Sequence, residues 1–362
     1  MSAARPPEGA HAAGARQSEG GRAGGFIAEC WYAAASSDEV GSTPLARRLL
    51  DQKVVLFRTS TGAPAALRDR CVHRFAPLSM GTVCGDAVAC PYHGMQFGAD
   101  GQCVKIPGQE RIPVAAAVQS FPTLERYGLV FVWMGDLALA AASQLVDIPA
   151  YDAPGIGLSR GYSMFEACWQ NIADNLIDPA HTTFVHQRTI GNDAGEDVVV
   201  KARDIGDGVI ECGRWVDDAP AVPVVERFAK PQGNVDRWQF YYLKAPTTSW
   251  VDFGAMPTGL PHTSEEKSKA PYRVISYAFL TPQTATTTHY FSFQLRNFAA
   301  DDAEVTAEFN QLYKLTFDED RELLEAIQRE ENEHPELKPL RIATDVGVTR
   351  LRALVAGMQI TA

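Results

Sequence analysis

Hydrophobic positions follow two rhythms along this chain. Between residues 26 and 136, short β-rich runs such as "KVVLF", "AVAC" and "GLVFVW" alternate at close intervals with Gly, Pro and Asp turn signals. That pattern predicts a small all-β domain. Residues 137–160 begin with an Ala run, lose periodicity and contain two prolines, and so read as a linker. Over residues 161–362 the elements are longer. A helical stretch from about 169 to 185 precedes strands in "VVVKARDI", "RWQFYYLKAP", "SWVDFGAM" and "RVISYAFLTP", and helical runs follow at about 302–333 and 339–357. This order predicts an α+β domain with a long antiparallel sheet and C-terminal helices. Residues 1–25, rich in Gly, Ala and Arg with almost nothing to bury, predict a disordered tail.

Composition narrows the classes. A chain of 362 residues exceeds one average domain, and 46% hydrophobic with 21% charged residues is the balance of an ordinary globular protein. A formal charge of −11 argues against nucleic acid, because nothing would supply the counterion release that dominates such binding. No run reaches the 18 apolar residues of a membrane span, and the N-terminal stretch lacks the apolar core of a secretory signal, so the expected location is cytoplasmic. Seven cysteines, an odd number and thinly spread outside one cluster, do not make a disulfide framework. Metal explains them better.

The cluster lies in "CVHRFAPLSMGTVCGDAVACPYHG", Cys71 to Gly94. Cys71-Val72-His73 and Cys90-Pro91-Tyr92-His93 form two arms separated by sixteen residues. Zinc ribbons commonly space their first ligands by two to four residues and often use four thiolates. Two thiolates with two imidazoles suit a Rieske [2Fe–2S] centre, in which one iron keeps two Cys and the other takes two His. Structural zinc is the alternative. Cys84 has no histidine beside it, and Cys30, Cys103, Cys168 and Cys212 read as buried hydrophobes.

A second polar group stands in "NIADNLIDPAHTTFVH". Asn171, Asp174, Asn175, Asp178 and His181 recur at helical spacing without Lys, Arg or Glu, the residues a solvated face favours, and run into His186. Five residues of continuous α-helix would point His181 and His186 about 140° apart, so a ligand pair requires the helix to break between them. Pro179, which has no N–H, makes a break plausible. A carboxylate would complete a 2-His-1-carboxylate site for ferrous iron. In "EFNQLYKLTFDEDRELLEAIQ", Phe309, Leu312, Tyr313, Phe317, Leu324 and Ile327 form an apolar stripe, and Asp320 lies on it. An acid on a core-facing stripe is costly unless paired or bound to metal, which selects Asp320 over Asp318 on the wet side.

Taken together, the "HRFAPLS" and "YHG" flanks of the arms, Asp178-x-x-His181-x-x-x-x-His186 and Glu319-Asp320-Arg321 resemble the Rieske oxygenases, in the branch of vanillate and dicamba O-demethylases. The resemblance runs from Phe26 onward. It implies a [2Fe–2S] cluster on Cys71, His73, Cys90 and His93, and a helix-grip catalytic domain with mononuclear Fe(II) on His181, His186 and Asp320. It further implies a head-to-tail homotrimer, and a reductase or ferredoxin partner. Asp178 would link the iron of one subunit to the cluster of the next by accepting hydrogen bonds from His181 and a neighbour's His93. Asn175 would lie near the iron without ligating it.

The implied activity is a monooxygenase that uses O2 and delivered electrons to hydroxylate or O-demethylate an aromatic acid, a vanillate-like methoxybenzoate being favoured. Hydroxylation of a ring or alkyl carbon, or N-demethylation, of another aromatic compound is the alternative. An electron carrier without mononuclear iron is the reading from a different class. Trp250, Phe253, His289, Gln311 and Leu312 are the candidate pocket walls, with His289 better suited to a satisfied core position than to binding a carboxylate.

Overall fold

A computed structural model describes residues 25–358 and 360–361. The predicted tail at 1–25 lies, but for Gly25, outside the described residues. Among the described residues no helix is long and apolar enough to cross a membrane.

The N-terminal region is all β. One four-stranded sheet runs Ser120–Phe121, Pro64–Arg68, Gln52–Arg58, Leu45–Leu49, and a three-stranded sheet runs Thr123–Arg126, Leu129–Trp133, Trp31–Ser36. A second four-stranded sheet, Thr82–Cys84, Ala87–Ala89, Gln96–Gly98 and Cys103–Lys105, carries the second arm between its middle strands. Val88, Phe97, Leu78 and Val55 are fully buried beneath both arms.

The C-terminal region is built on seven antiparallel strands in the order Gly157–Phe165, Thr287–Arg296, Tyr272–Thr284, Thr248–Pro257, Val235–Lys244, Val209–Ala219, Lys201–Asp204. The first of these starts inside the segment predicted to be linker. Val209–Ala219 was not among the predicted strands because Gly213 and Asp217-Asp218 dilute its pattern. Gly213 is nonetheless required there, since a Cβ would stand 2.4 Å from the Phe240 ring.

Alternation along these strands assigns two faces. Val251, Phe253, Tyr241, Ala278 and Tyr290 face the helices. Trp250, Ile275, Tyr277, Phe279, Phe291 and Phe293 face the N-terminal domain, where they meet Trp31, Leu129 and Phe131. Phe131 and Phe279 meet edge to face at 5.3 Å between centroids. Burying each such side chain contributes roughly 1.5–3 kcal/mol. Backbone bonds join the domains too, from Leu50 N–H to Pro282 O at 2.8 Å and from Asp51 N–H to Gln283 O at 3.0 Å.

On the other face lies the helix Ala303–Glu333, capped by Asp302, whose Oδ1 accepts from the N–H groups of Glu304 and Val305 at 2.9 Å each. The helix predicted at 339–357 forms only over Val346–Ala356.

Candidate functional site

The two arms fold into the same turn. Cys71 N–H donates to Ala76 O at 2.9 Å and Phe75 N–H to Cys71 O at 3.0 Å, while Cys90 N–H donates to Met95 O at 2.7 Å and Gly94 N–H to Cys90 O at 3.0 Å. Both turns need a positive φ at the fourth position after the cysteine, +62° at Phe75 and +68° at Gly94. Glycine accepts this freely, whereas Phe75 does so at a cost of ~1 kcal/mol. The turns bury both thiols and leave both imidazoles exposed, with His73 Nδ1 and His93 Nδ1 3.2 Å apart. Burial pushes the Cys71 thiol up, and Cys90, within hydrogen-bond reach, adds to the rise. Thiols pressed together in this way favour a cationic partner that would hold them as thiolates. The donors thus segregate into a Cys pair inside and a His pair outside, the arrangement a two-iron cluster uses. Cys84 is exposed and Cys103, Cys168 and Cys212 are buried, and none joins the arms.

The helical stretch predicted at 169–185 breaks as Pro179 requires. Trp169–Asn175 ends, residues 176–181 turn, and Thr182–Val185 makes a single turn with His181 and His186 at its two ends. Three amides, of Thr189, Ile190 and Gly191, donate to His186 O at 3.0, 3.1 and 2.9 Å and pin the end of this turn. Gly191 passes so close that a Cβ would stand 1.9 Å from Thr182 O. From below, the buried Arg214 donates to Pro179 O at 3.0 Å, Thr183 Oγ1 at 3.0 Å and Gly195 O at 2.6 Å.

As a result the two rings meet with centroids 5.2 Å apart and planes at 74°. Asp320, on the helix face that also carries Tyr313, Thr316 and Phe317, reaches between them. Its Oδ1 lies 3.1 Å from His186 Nε2 and 3.6 Å from His181 Nε2. Asn175 Nδ2 donates to the same oxygen at 3.0 Å. Donor atoms of His181, His186 and Asp320 all lie within 4.8 Å of one another.

The far nitrogen of each imidazole is also held. His181 Nδ1 bonds Asp178 O, and His186 Nδ1 lies 3.0 Å from Glu319 Oε2, which also accepts from Thr189 Oγ1 at 3.2 Å. Each ring therefore has its Nδ1 engaged on the outer side and turns Nε2 toward Asp320, the orientation that metal-binding histidines require. Burial lowers the pKa of His181 despite the nearby Asp320. For His186 burial also pulls down, but Asp320 and then Glu319 outweigh it and raise the pKa. Burial opposes the charge on Asp320, yet His186, His181 and Asn175 hold its pKa below the usual carboxylate value. A buried carboxylate faced by the Nε2 atoms of two imidazoles is a donor set that fits a divalent cation.

The expected contact of Asp178 needs correction. Its backbone carbonyl, not its carboxylate, takes the His181 proton, while Oδ1 accepts from Ala180 N–H at 2.8 Å. The carboxylate borders a surface depression shared with Asn171, Arg341 and Asp345. Of the predicted walls, Phe253 alone lines the cavity over the metal site. Trp250 and His289 sit on the opposite sheet face, Gln311 is exposed, and Leu312 packs sideways against the Phe253–Phe309 cluster. The cavity has a volume of about 50 Å³ and is walled by Leu176, Ile190, Tyr241, Val251, Tyr290 and Phe317, among others. Arg214 carried no signal of its own. Glu319 lay beside the selected aspartate in sequence, and only the packed structure gives it His186.

With this geometry in hand, similarity decides the family. Residues 165–359, more than half of the chain, match the vanillate O-demethylase oxygenase C-terminal domain, and residues 30–122 match the Rieske [2Fe-2S] domain. The chain belongs to the vanillate O-demethylase oxygenase family. It is 38% identical to a putative toluene-4-sulfonate monooxygenase system iron-sulfur subunit of Comamonas testosteroni, over 91% of this chain and 96% of that one. It is 34% identical to the oxygenase component of chloroacetanilide N-alkylformylase of Rhizorhabdus wittichii, over 90% and 94%. The crystal structure of dicamba monooxygenase bound to 3,6-dichlorosalicylic acid superposes with a TM-score of 0.86 at 30% identity, over 92% and 97%. Like other members, this oxygenase is a Rieske non-heme iron monooxygenase component, and its cofactors are a Rieske [2Fe–2S] cluster and mononuclear iron.

Proposed function

We propose that this chain is the catalytic subunit of an aromatic monooxygenase in which His181, His186 and Asp320 hold ferrous iron and Cys71, Cys90, His73 and His93 hold the cluster. The observation that carries the reading is the paired orientation of the histidines, each with Nδ1 engaged and Nε2 turned toward one buried carboxylate. When bound, the iron supplies O2 activation and the cluster supplies electrons one at a time. The chain's own part is to orient and to exclude water. Tyr241, Phe253, Tyr290 and Phe317 wall a mostly apolar space that would hold an aromatic ring beside the metal. One oxygen atom of O2 enters a substrate C–H bond, and the other leaves as water with two electrons and two protons. Where the carbon is a methyl on oxygen or nitrogen, the hydroxylated product breaks down to formaldehyde and a phenol or amine.

The electrons come from a separate reductase or ferredoxin. Exposed imidazoles on the first cofactor suit transfer across a subunit contact, and we place the chain in a homotrimer in which Asp178 lies between the iron of one subunit and the cluster of the next. Relatives named for toluene-4-sulfonate and chloroacetanilide bracket the substrate class as a substituted benzene, charged or neutral. The test is metal analysis with EPR on anaerobically purified protein, together with reductase-dependent O2 uptake. About three irons per chain are expected, falling to about two in His181→Ala with the Rieske signal unchanged. Loss of the Rieske signal alone, or zinc at either position, refutes the assignment.

A further inference from the structure

Among the described residues, no Lys or Arg lines the cavity over the metal site. Beyond Asn175 and the metal-site residues His181, His186 and Asp320, its polar groups divide into two sets. Ser249 Oγ donates to Tyr242 O at 3.0 Å, Thr316 Oγ1 donates to Leu312 O at 3.1 Å, and Ser276 Oγ accepts from Gln294 Nε2 at 3.2 Å, so these hydroxyls are already engaged. By contrast, Tyr241, Tyr290 and Tyr313 are 4%, 3% and 6% exposed, line the cavity, and have no hydrogen-bond partner for their hydroxyls among the described residues. None of the three hydroxyls is itself a buried unsatisfied atom, so each remains open to the space beside it, and an occupant of the cavity with an acceptor oxygen can accept its hydrogen bond.

The charge around them is unfavourable to an anion. Two positive charges from ferrous iron would be balanced by Asp320 and by Glu319, which lies 3.0 Å from His186 Nδ1. Arg214 lies under the histidine turn and spends its donors on Pro179, Thr183, Gly195 and Gln239. It does not line the cavity. A carboxylate or sulfonate entering this space would lose its hydration without meeting a cation. A neutral carbonyl, ether or amide oxygen would instead accept from tyrosine hydroxyls at little cost.

We propose that the substrate of this oxygenase is an uncharged aromatic compound whose neutral acceptor group is held by Tyr241, Tyr290 and Tyr313, and not an aromatic acid. This selectivity rests on the oxygenase reading of the same cavity but is read from binding alone. The experiment takes anaerobic iron-loaded enzyme and measures affinity by calorimetry for matched sets of methoxybenzoate, methoxybenzamide and methyl methoxybenzoate, with ortho, meta and para methoxy groups. In each set the amide or ester should bind at least tenfold more tightly than the acid. Replacing any of the three tyrosines by Phe should weaken the neutral ligand about threefold to tenfold and leave iron content unchanged. Val251→Lys should reverse the preference in favour of the acid. Equal or tighter binding of the acid in wild-type enzyme overturns the proposal, as does failure of every neutral member to bind at millimolar concentration. Missing mononuclear iron, by contrast, defeats the oxygenase reading whatever the order of affinities.

Discussion

His289 offers a direct test of how the two domains are joined. It lies on the sheet face turned to the N-terminal domain and is 3% exposed. Its Nε2 is 3.1 Å from Arg48 O and its Nδ1 3.0 Å from Tyr162 Oη. A carbonyl can only accept, so Nε2 carries the proton and Nδ1 accepts from the tyrosine. The neutral ring is thereby satisfied on both sides. Burial lowers the pKa from 6.5 to about 4, the Arg48 carbonyl opposes this, Arg47 lowers it further and Glu39 raises it. Because the folded pKa lies below the unfolded one, protonation favours the unfolded chain. The stabilisation is therefore complete above about 6.5 and is lost as pH falls toward 4. At ~1.4 kcal/mol per pH unit the full loss is ~3 kcal/mol, of which ~2 kcal/mol is lost by pH 5. Other groups also titrate in this range, so the informative quantity is the difference between wild type and His289→Gln, which cannot titrate. Denaturant unfolding followed by circular dichroism at pH 7.5 and 5.0 should show that difference moving by ~2 kcal/mol against wild type at the lower pH. A difference constant to within ~0.5 kcal/mol would mean that His289 titrates normally, and the argument from burial would fail.

Other expectations concern the site. Glu319→Ala frees His186 Nδ1 and should weaken iron binding about tenfold to hundredfold in a chelator competition, with the visible cluster spectrum unchanged and Glu319→Gln recovering most of the loss. Asp178→Asn keeps the backbone carbonyl that holds His181, so both metals should remain while reductase-coupled turnover falls; full turnover would remove Asp178 from the path between subunits. In Gly254→Ala the new Cβ would lie 2.2 Å from the Trp238 ring, and unfolding experiments should show a loss of ~1–3 kcal/mol.

The arms, the histidine pair and Asp320 were legible as local patterns of spacing and of an acid on an apolar face, whereas of the polar stripe Asp174 pairs with Arg352 and Asn171 with Glu331, and Asn175 and His181 line the cavity. What sequence could not reveal was tertiary or belonged to the backbone. Every residue has a carbonyl, so nothing marked that of Asp178 as the group facing His181. Trp250 and Phe253 were both candidate walls, yet residues three apart on a strand point to opposite faces, and His289 shares the outer face with Phe291. The match of Glu319 to His186 bridges 133 residues and exists only after packing. The predicted helix at 339–357 starts late because its first residues, from Pro339, form a loop and one 3₁₀ turn before Val346.

The two-sided sheet also bears on how such an enzyme diverges. Along Tyr272–Thr284, Ser276 and Ala278 look into the cavity while Ile275, Tyr277 and Phe279 grip the neighbouring domain. Adjacent codons therefore serve separate masters, and a lineage can reshape the cavity while the joint between its two domains is inherited intact.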